Sequence, residues 1–248
     1  MQLASNISYL SLTTCPLITF KDNHHVARAT GFFYKKNSDI FLITNRHIFI
    51  DEEKKSYPNK IQFIVHAIEN DSLSSKYLEL DIYNKEKIPA WLEHPFNSNK
   101  NLPKIDIVAI KLEKELLKNA HLVTFTKNNL VPPDANVGIG EHLLVAGYPL
   151  ALYDKVNVLP IVRNATVATE YGAPFENNPF FLIDSTLHEG SSGSPVVTKP
   201  SSIETNKTGA VIIGNPKSYL VGVHSAGHDY LGLNLVWYAQ LIEEIIPD

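Results

Sequence analysis

A single cysteine, Cys15, stands among 248 residues. One cysteine forms no intramolecular disulfide, so no covalent framework holds this chain and its fold rests on a hydrophobic core. The lack of disulfides points to a reducing compartment, and Cys15 reads as a small apolar core residue, not a nucleophile. No apolar run is long enough to span a bilayer. No Lys or Arg precedes Lys21, and the basic segment and continuous apolar stretch of a signal peptide are missing. A cytoplasmic location without membrane association is expected. Basic blocks are missing too. The 22 Lys and Arg against 26 Asp and Glu give a formal net charge of −4, dispersed along the chain, so nucleic acid is not an expected partner. His24-His25 is the one pair that suggests a metal. Adjacent side chains diverge and no partner cluster is evident, so a solvated polar turn is expected.

What is present is ordinary for a globular protein: 44% hydrophobic and 19% charged residues, enough for one large domain or two small ones with ample core. Fifteen Pro and twelve Gly suit many short strands. Residues 29–34 and 40–44 read as a hairpin around Lys35-Lys36-Asn37-Ser38-Asp39. Residues 61–66, 78–83, 161–169 and 180–184 read as strands, and 211–213 with 220–224 as a further hairpin. Residues 7–20 are β-branched and hold Pro16, which suggests an edge strand or a strap. Residues 111–120 alternate charges around Leu112, Leu116 and Leu117 and read as a solvated linker. In residues 233–246, Leu235, Val236, Ala239, Leu241, Ile242 and Ile245 follow a helical stripe.

The stretch from Asp184 to Val197, DSTLHEGSSGSPVV, is a small-residue turn between two apolar runs. Gly190, Gly193 and Pro195 set the turn. A serine on such a turn exposes its Oγ, and the backbone N–H groups around it converge, as an oxyanion hole requires. Ser192 is flanked on both sides by this arrangement. A flexible loop has the same composition, so the partners decide. His47 lies at the end of an apolar strand, in Leu42-Ile43-Thr44-Asn45-Arg46-His47-Ile48. Asp106 begins another, Asp106-Ile107-Val108-Ala109-Ile110. A buried carboxylate needs a partner, and His47 is the candidate. The order His47, Asp106, Ser192 is one of the known orders of a serine triad. A lipase-like hydrolase would need a Gly-x-Ser-x-Gly elbow and the order Ser-Asp-His, and neither occurs.

These motifs resemble those of the chymotrypsin-like (trypsin-like) serine peptidases. Gly190-Ser191-Ser192-Gly193-Ser194-Pro195 is similar to their Gly-Asp-Ser-Gly-Gly-Pro, and in its Ser-Gly-Ser-Pro form is nearer to the bacterial glutamyl endopeptidases. Asp184-Ser185-Thr186 resembles the lead-in to that loop in HtrA-like proteases. Thr44-Asn45-Arg46-His47 is similar to Thr-Ala-Ala-His-Cys, and the Asp106 segment to Asp-Ile-Ala-Leu-Leu. Gly147-Tyr148-Pro149 looks like a turn of the same relatives. Trp91-Leu92-Glu93-His94-Pro95 resembles the segment before the triad Asp, with His94 structural. The resemblance implies an all-β fold of two six-stranded antiparallel β-barrels, residues 1–122 and 123–248, with a C-terminal helix packed on the second. It implies a serine endopeptidase acting on protein or peptide substrates without a metal or organic cofactor. His47, Asp106 and Ser192 would be catalytic, with the N–H groups of Gly190 and Ser192 as oxyanion donors.

Leu220-Val221-Gly222-Val223-His224-Ser225-Ala226-Gly227 resembles the strand that lines the substrate pocket, where Ser225, Ala226 and Gly227 would pair with substrate. Thr186 and Leu187 would line the same pocket. Thr186 stands where trypsin has its pocket-bottom Asp, which disfavours cleavage after Lys or Arg. His224 matches a histidine of the glutamyl endopeptidases and viral 3C-like proteases, and an imidazole donates to a carboxylate or carboxamide, so Glu or Gln is expected at P1. Leu187 departs from the Thr or Ser of the glutamyl enzymes. Ser191 replaces the Asp that binds a newly cut N-terminus in digestive enzymes, so no activation of that kind is expected and a regulatory protein partner is one source of restraint. The alternative is a pseudoprotease that binds peptides or partners on the same fold.

Overall fold

The computed structural model describes residues 7–52, 55–69, 72–99, 103–228 and 230–248. Residues 1–6, part of the stretch in which no signal peptide was read, lie outside them. A one-turn helix α1 (Tyr9–Thr13), capped where the Ser8 hydroxyl accepts the Leu10 N–H, runs into β1 (Thr14–Lys21). Then come β2 (His24–Lys36), β3 (Asp39–Thr44), β4 (Lys60–Glu69), β5 (Ser72–Asp81), β6 (Trp91–Glu93) and β7 (Val108–Leu112). They form one antiparallel sheet in the order β5-β4-β1-β2-β3-β7-β6. It has seven strands where six were expected, because the short β6 adds to β7.

β1 is an interior strand, not the expected edge or strap. Pro16 is tolerated there because β4 pairs only with Leu17 through Phe20, so no ladder on that side needs the missing N–H. His24 and His25 open β2, and the polar turn is Asp22-Asn23, both with positive φ. No metal-ligand cluster occurs among the described residues. Phe33, Phe49, Phe63 and Trp91 pack together as the core of this half. Cys15 is buried in that core, and burial pushes its thiol pKa well up, so it stays a protonated apolar filler. Residues 114–119 are turns, not a solvated linker: Leu116, Leu117 and Ala120 pack against the same core.

The second half holds β8 (His142–Gly147), β9 (Ile161–Val167), β10 (Phe180–Asp184), β11 (Pro195–Thr198), β12 (Ser201–Thr205), β13 (Val211–Lys217), β14 (Leu220–His228) and β15 (Leu233–Tyr238), then α2 (Leu241–Ile245). β10-β15-β14-β11-β8-β9 close into a six-stranded barrel. The hairpin expected between residues 211–213 and 220–224 does not form. β13 folds back on β12 as a separate ribbon, because Asn206 Oδ1 accepts the N–H groups of Thr208 and Ala210 and Gly209 takes φ +82°. The helical stripe over residues 233–246 is half strand. Residues 233–238 pair with β10 and β14, and only α2 is helical.

α2 does not dock on the second barrel alone. Ile242, Ile245 and Ile246 share a core with Phe32 and Tyr34 from β2 and with Phe180 and Trp237. The Tyr34 hydroxyl donates to Glu243 at 2.5 Å, Lys36 Nζ donates to the Ile246 carbonyl at 2.6 Å, and His94 Nε2 lies 2.9 Å from Glu244. His94 is thus a structural histidine that ties the loop before Asp106 to α2.

Candidate active site

β3 ends at Thr44, and a 3-10 turn over Arg46–Ile48 swings His47 out of the core, leaving its side chain half-exposed. Asn45 Nδ2 donates to the Asp106 carbonyl at 2.7 Å and so fixes the segment that leads into β7. Asp106 then collects three donors. Its Oδ1 accepts the His47 backbone N–H at 2.7 Å. Its Oδ2 accepts from His47 Nδ1 at 2.6 Å and from the Ser225 hydroxyl at 2.5 Å. A carboxylate only accepts, so Nδ1 carries the hydrogen and the neutral ring keeps its lone pair on Nε2.

The loop that carries Ser192 is held from three sides. Gly190 and Gly193 take φ +92° and +83°, and a Cβ at either would lie 2.6 Å from the Tyr148 carbonyl oxygen or 2.1 Å from that of Thr30. Only glycine fits both places. Thr30 on β2 clamps the loop: its N–H donates to the Ser192 carbonyl at 2.8 Å and its hydroxyl to the Gly190 carbonyl at 2.8 Å. The Glu189 carbonyl accepts the Leu150 N–H at 2.7 Å. The Glu189–Gly190 peptide is planar and trans, so its N–H points opposite to that carbonyl, away from Leu150. Neither the Gly190 nor the Ser192 N–H donates to another group among the described residues. Two backbone donors beside a serine hydroxyl are what an oxyanion site needs. The Ser192 hydroxyl donates to the Ser225 carbonyl at 3.2 Å.

His47, Asp106, Ser192, Leu187, His224, Ser225, Ala226 and Gly227 line one cleft of about 650 Å³. β14 carries a bulge between His224 and Gly227, which takes Ser225 and Ala226 out of register with β15 at the cleft wall. Thr186 lies in a neighbouring pocket of about 300 Å³ with Ser185, Gly232 and Leu233; Leu187 and Asn234 line both. His224 is buried, with Nδ1 2.9 Å from the Ser191 carbonyl and Nε2 3.2 Å from Asn234 Oδ1. Asn234 Nδ2 donates to the Ser185 carbonyl at 2.5 Å, which fixes the amide with its oxygen toward His224. Burial lowers the His224 pKa, so the ring is neutral near pH 7 and holds one N–H for two facing oxygens.

The family described as trypsin-like peptidase domain matches residues 29–202, from the Thr30 clamp past the Ser192 loop. The chain belongs to the trypsin-like peptidase family. Its fold is similar to that of a serine endoprotease from Yersinia pestis, at 15% identity and TM-score 0.52, over 96% of this chain and 65% of that one. It is equally similar to a thermostable serine protease, AL20, from an extremophilic microorganism, at 12% identity and TM-score 0.52, over 96% of this chain and 97% of that one. This trypsin-like peptidase chain therefore spans about two thirds of the length of the Yersinia structure. No curated protein matches it in sequence.

Three residues around this cleft carried no signal that sequence reasoning used. Thr30 precedes a glycine in an apolar strand, Leu150 follows a Tyr-Pro turn, and Asn234 sits in the segment read as helix. Asn234 alone was within reach of reasoning: a lone Asn in an apolar run, once read as a strand, is a buried polar group in search of partners.

Proposed function

We propose that this trypsin-like peptidase is a serine endopeptidase working through an acyl-enzyme. The observation that carries the reading is the Asp106 carboxylate, which accepts from His47 N–H, His47 Nδ1 and Ser225 while Ser192 lines the same cleft. His47 Nε2 takes the Ser192 proton as Oγ attacks the scissile carbonyl carbon. A hydroxyl has one hydrogen, so rotation away from the Ser225 carbonyl redirects it to Nε2. The Gly190 and Ser192 N–H groups hold the oxyanion, each worth about 3 kcal/mol at the transition state. The imidazolium, steadied by Asp106, gives its proton to the leaving amine; water then repeats the sequence on the acyl-enzyme and restores Ser192.

Glu or Gln at P1 belongs to the same proposal. The His224–Asn234 contact, at 3.2 Å, is the longer of the two that His224 makes, and is the one a P1 group would replace: a Gln carboxamide by donating its N–H to Nε2, a Glu carboxylate by accepting from the ring once it takes up a proton. The single cysteine supports a reducing, cytoplasmic setting. With Ser191 in place of an Asp, a protein partner rather than N-terminal cleavage supplies the restraint. Fluorophosphonate labelling tests the chemistry: wild type labels and Ser192→Ala does not. Failure of wild type to label both when pure and in native cell extract would favour the peptide-binding scaffold. Labelling only in extract would identify partner control. Among chromogenic peptides, Glu or Gln at P1 should be cleaved at least about tenfold faster than Lys.

A further inference from the structure

A second cavity, of about 270 Å³, opens on the face where β1 and β4 part company. The two strands pair only from Leu17 to Phe20, and beyond Phe63 they splay. Leu17 and Ile64 form its sheet wall, Tyr148 and Tyr153 its loop wall, and Tyr77, 62% exposed, its rim. Tyr148 is anchored, because its hydroxyl lies 3.2 Å from the Thr14 carbonyl and 3.0 Å from that of Val158, and its ring meets Tyr153 edge-on at 5.4 Å. Arg28 and Lys155 both line the cavity. Neither makes an ion pair or a side-chain hydrogen bond among the described residues, and no carboxylate lines the space. An apolar, tyrosine-walled pocket with two unpaired cations is complementary to an apolar body that bears a negative charge. At about 270 Å³ it falls just below the usual range of about 300–1,000 Å³ for small-molecule sites, which fits a small ligand.

The loop wall of this cavity is also the support of the oxyanion donor. Ala151 lines the cavity, and Leu150 beside it gives its N–H to the Glu189 carbonyl. Leu150 and Ala151 both take positive φ, 50° and 56°, which residues with a Cβ rarely adopt and which surrounding contacts must maintain. The Leu152 N–H to Pro149 carbonyl bond at 2.7 Å closes the turn. If this turn relaxes, the Leu150 N–H leaves the Glu189 carbonyl, and the peptide that aims the Gly190 N–H is free to rotate.

We propose that this cavity binds a small amphiphilic carboxylate, and that its occupant braces the Tyr148–Ala151 turn and thereby the Gly190 oxyanion donor. The first part stands on the cavity alone. The second rests on the serine-endopeptidase reading and supplies that site with a small-molecule activator.

Octanoate is the probe, with octylamine as the matched cation and acetate as the headgroup without its tail. Calorimetric titration should show octanoate binding to the wild type and at least tenfold weaker binding to the Arg28→Glu/Lys155→Glu double variant. Octylamine and acetate should not bind. Both substituted side chains are exposed, so an unchanged melting temperature confirms that the variant is folded. Octanoate should also raise the rate of fluorophosphonate labelling of the wild type at least threefold and leave that of the variant unchanged. Equal octanoate affinity for both proteins, octylamine binding as tight as octanoate, or no octanoate binding to the wild type would each overturn the site. Binding without a change in labelling rate would overturn the brace and keep the site. Binding by a protein that labels neither when pure nor in native cell extract would sink the endopeptidase reading and leave the site standing.

Discussion

The Thr30 hydroxyl accepts the Tyr148 N–H at 3.0 Å while it donates to the Gly190 carbonyl, so one side chain on β2 aligns two loops of the other half. Thr30→Val keeps the shape and leaves both groups unpaired in a buried place. It should cost about 1–3 kcal/mol of stability and, on the proposed mechanism, lower kcat more than it raises KM, because the Gly190 and Ser192 N–H groups loosen; Thr30→Ser should restore both. Asp106→Asn removes the acceptor that fixes His47 Nδ1–H. On the proposed mechanism its kcat should fall about 10⁴-fold with little change in folding, on the scale seen when a serine triad loses this control. Buried His66 and His224 give stability a pH dependence. Burial lowers both pKa values, so both rings stay neutral in the fold, whereas in the unfolded chain they protonate near the ordinary value of about 6.5. The unfolded state then binds more protons, and stability falls as pH drops below about 6.5 toward the folded-state values. Urea unfolding between about pH 7.5 and pH 5 should show this decline, and His66→Gln should make it shallower.

At the scale of elements, the β12–β13 ribbon and α2 behave oppositely. Ile203, Val211 and Ile213, on the same face by register, are 61%, 63% and 78% exposed. An exposed apolar ribbon invites pairing with another strand. Val211→Lys with Ile213→Lys should reduce light scattering in concentrated solution and shift the melting temperature by no more than about 2 °C. α2 is short yet buries Ile242 and Ile245, with Ile246 just beyond it. Deleting residues 241–248 should cost roughly 5 kcal/mol from those isoleucines alone, read as a lower urea midpoint. Legibility differed in the same way. The β2–β3 hairpin and β10 were readable because apolar runs meet clear turn residues. The stripe of residues 233–246 misled because Leu-Asn-Leu-Val-Trp-Tyr satisfies both periods, and the barrel neighbours β10 and β14, invisible in one sequence, chose the strand.

Across the whole molecule, each half has its own core, and a third is shared. Phe32, Tyr34, Ile105 and Ile107 from the first half pack with Phe180, Leu182, Leu220 and Trp237 from the second. A shared core and the Thr30 clamp couple the halves, so calorimetry should show one unfolding transition with matching calorimetric and van't Hoff enthalpies; two resolved transitions would contradict the coupling. Sequence alone determined the strand-rich class and the structural role of Cys15 and His94, and it put forward His47, Asp106 and Ser192, which line one cleft, because small turns, apolar runs and costly buried charges are local demands that each segment declares for itself. Tertiary structure decided the rest. That Thr30 and Leu150 aim the backbone around Gly190, that Asn234 occupies His224, and that α2 fastens onto the N-terminal sheet all depend on contacts between distant segments. Backbone N–H and carbonyl groups are the same in every residue, so only the folded path shows which of them meet.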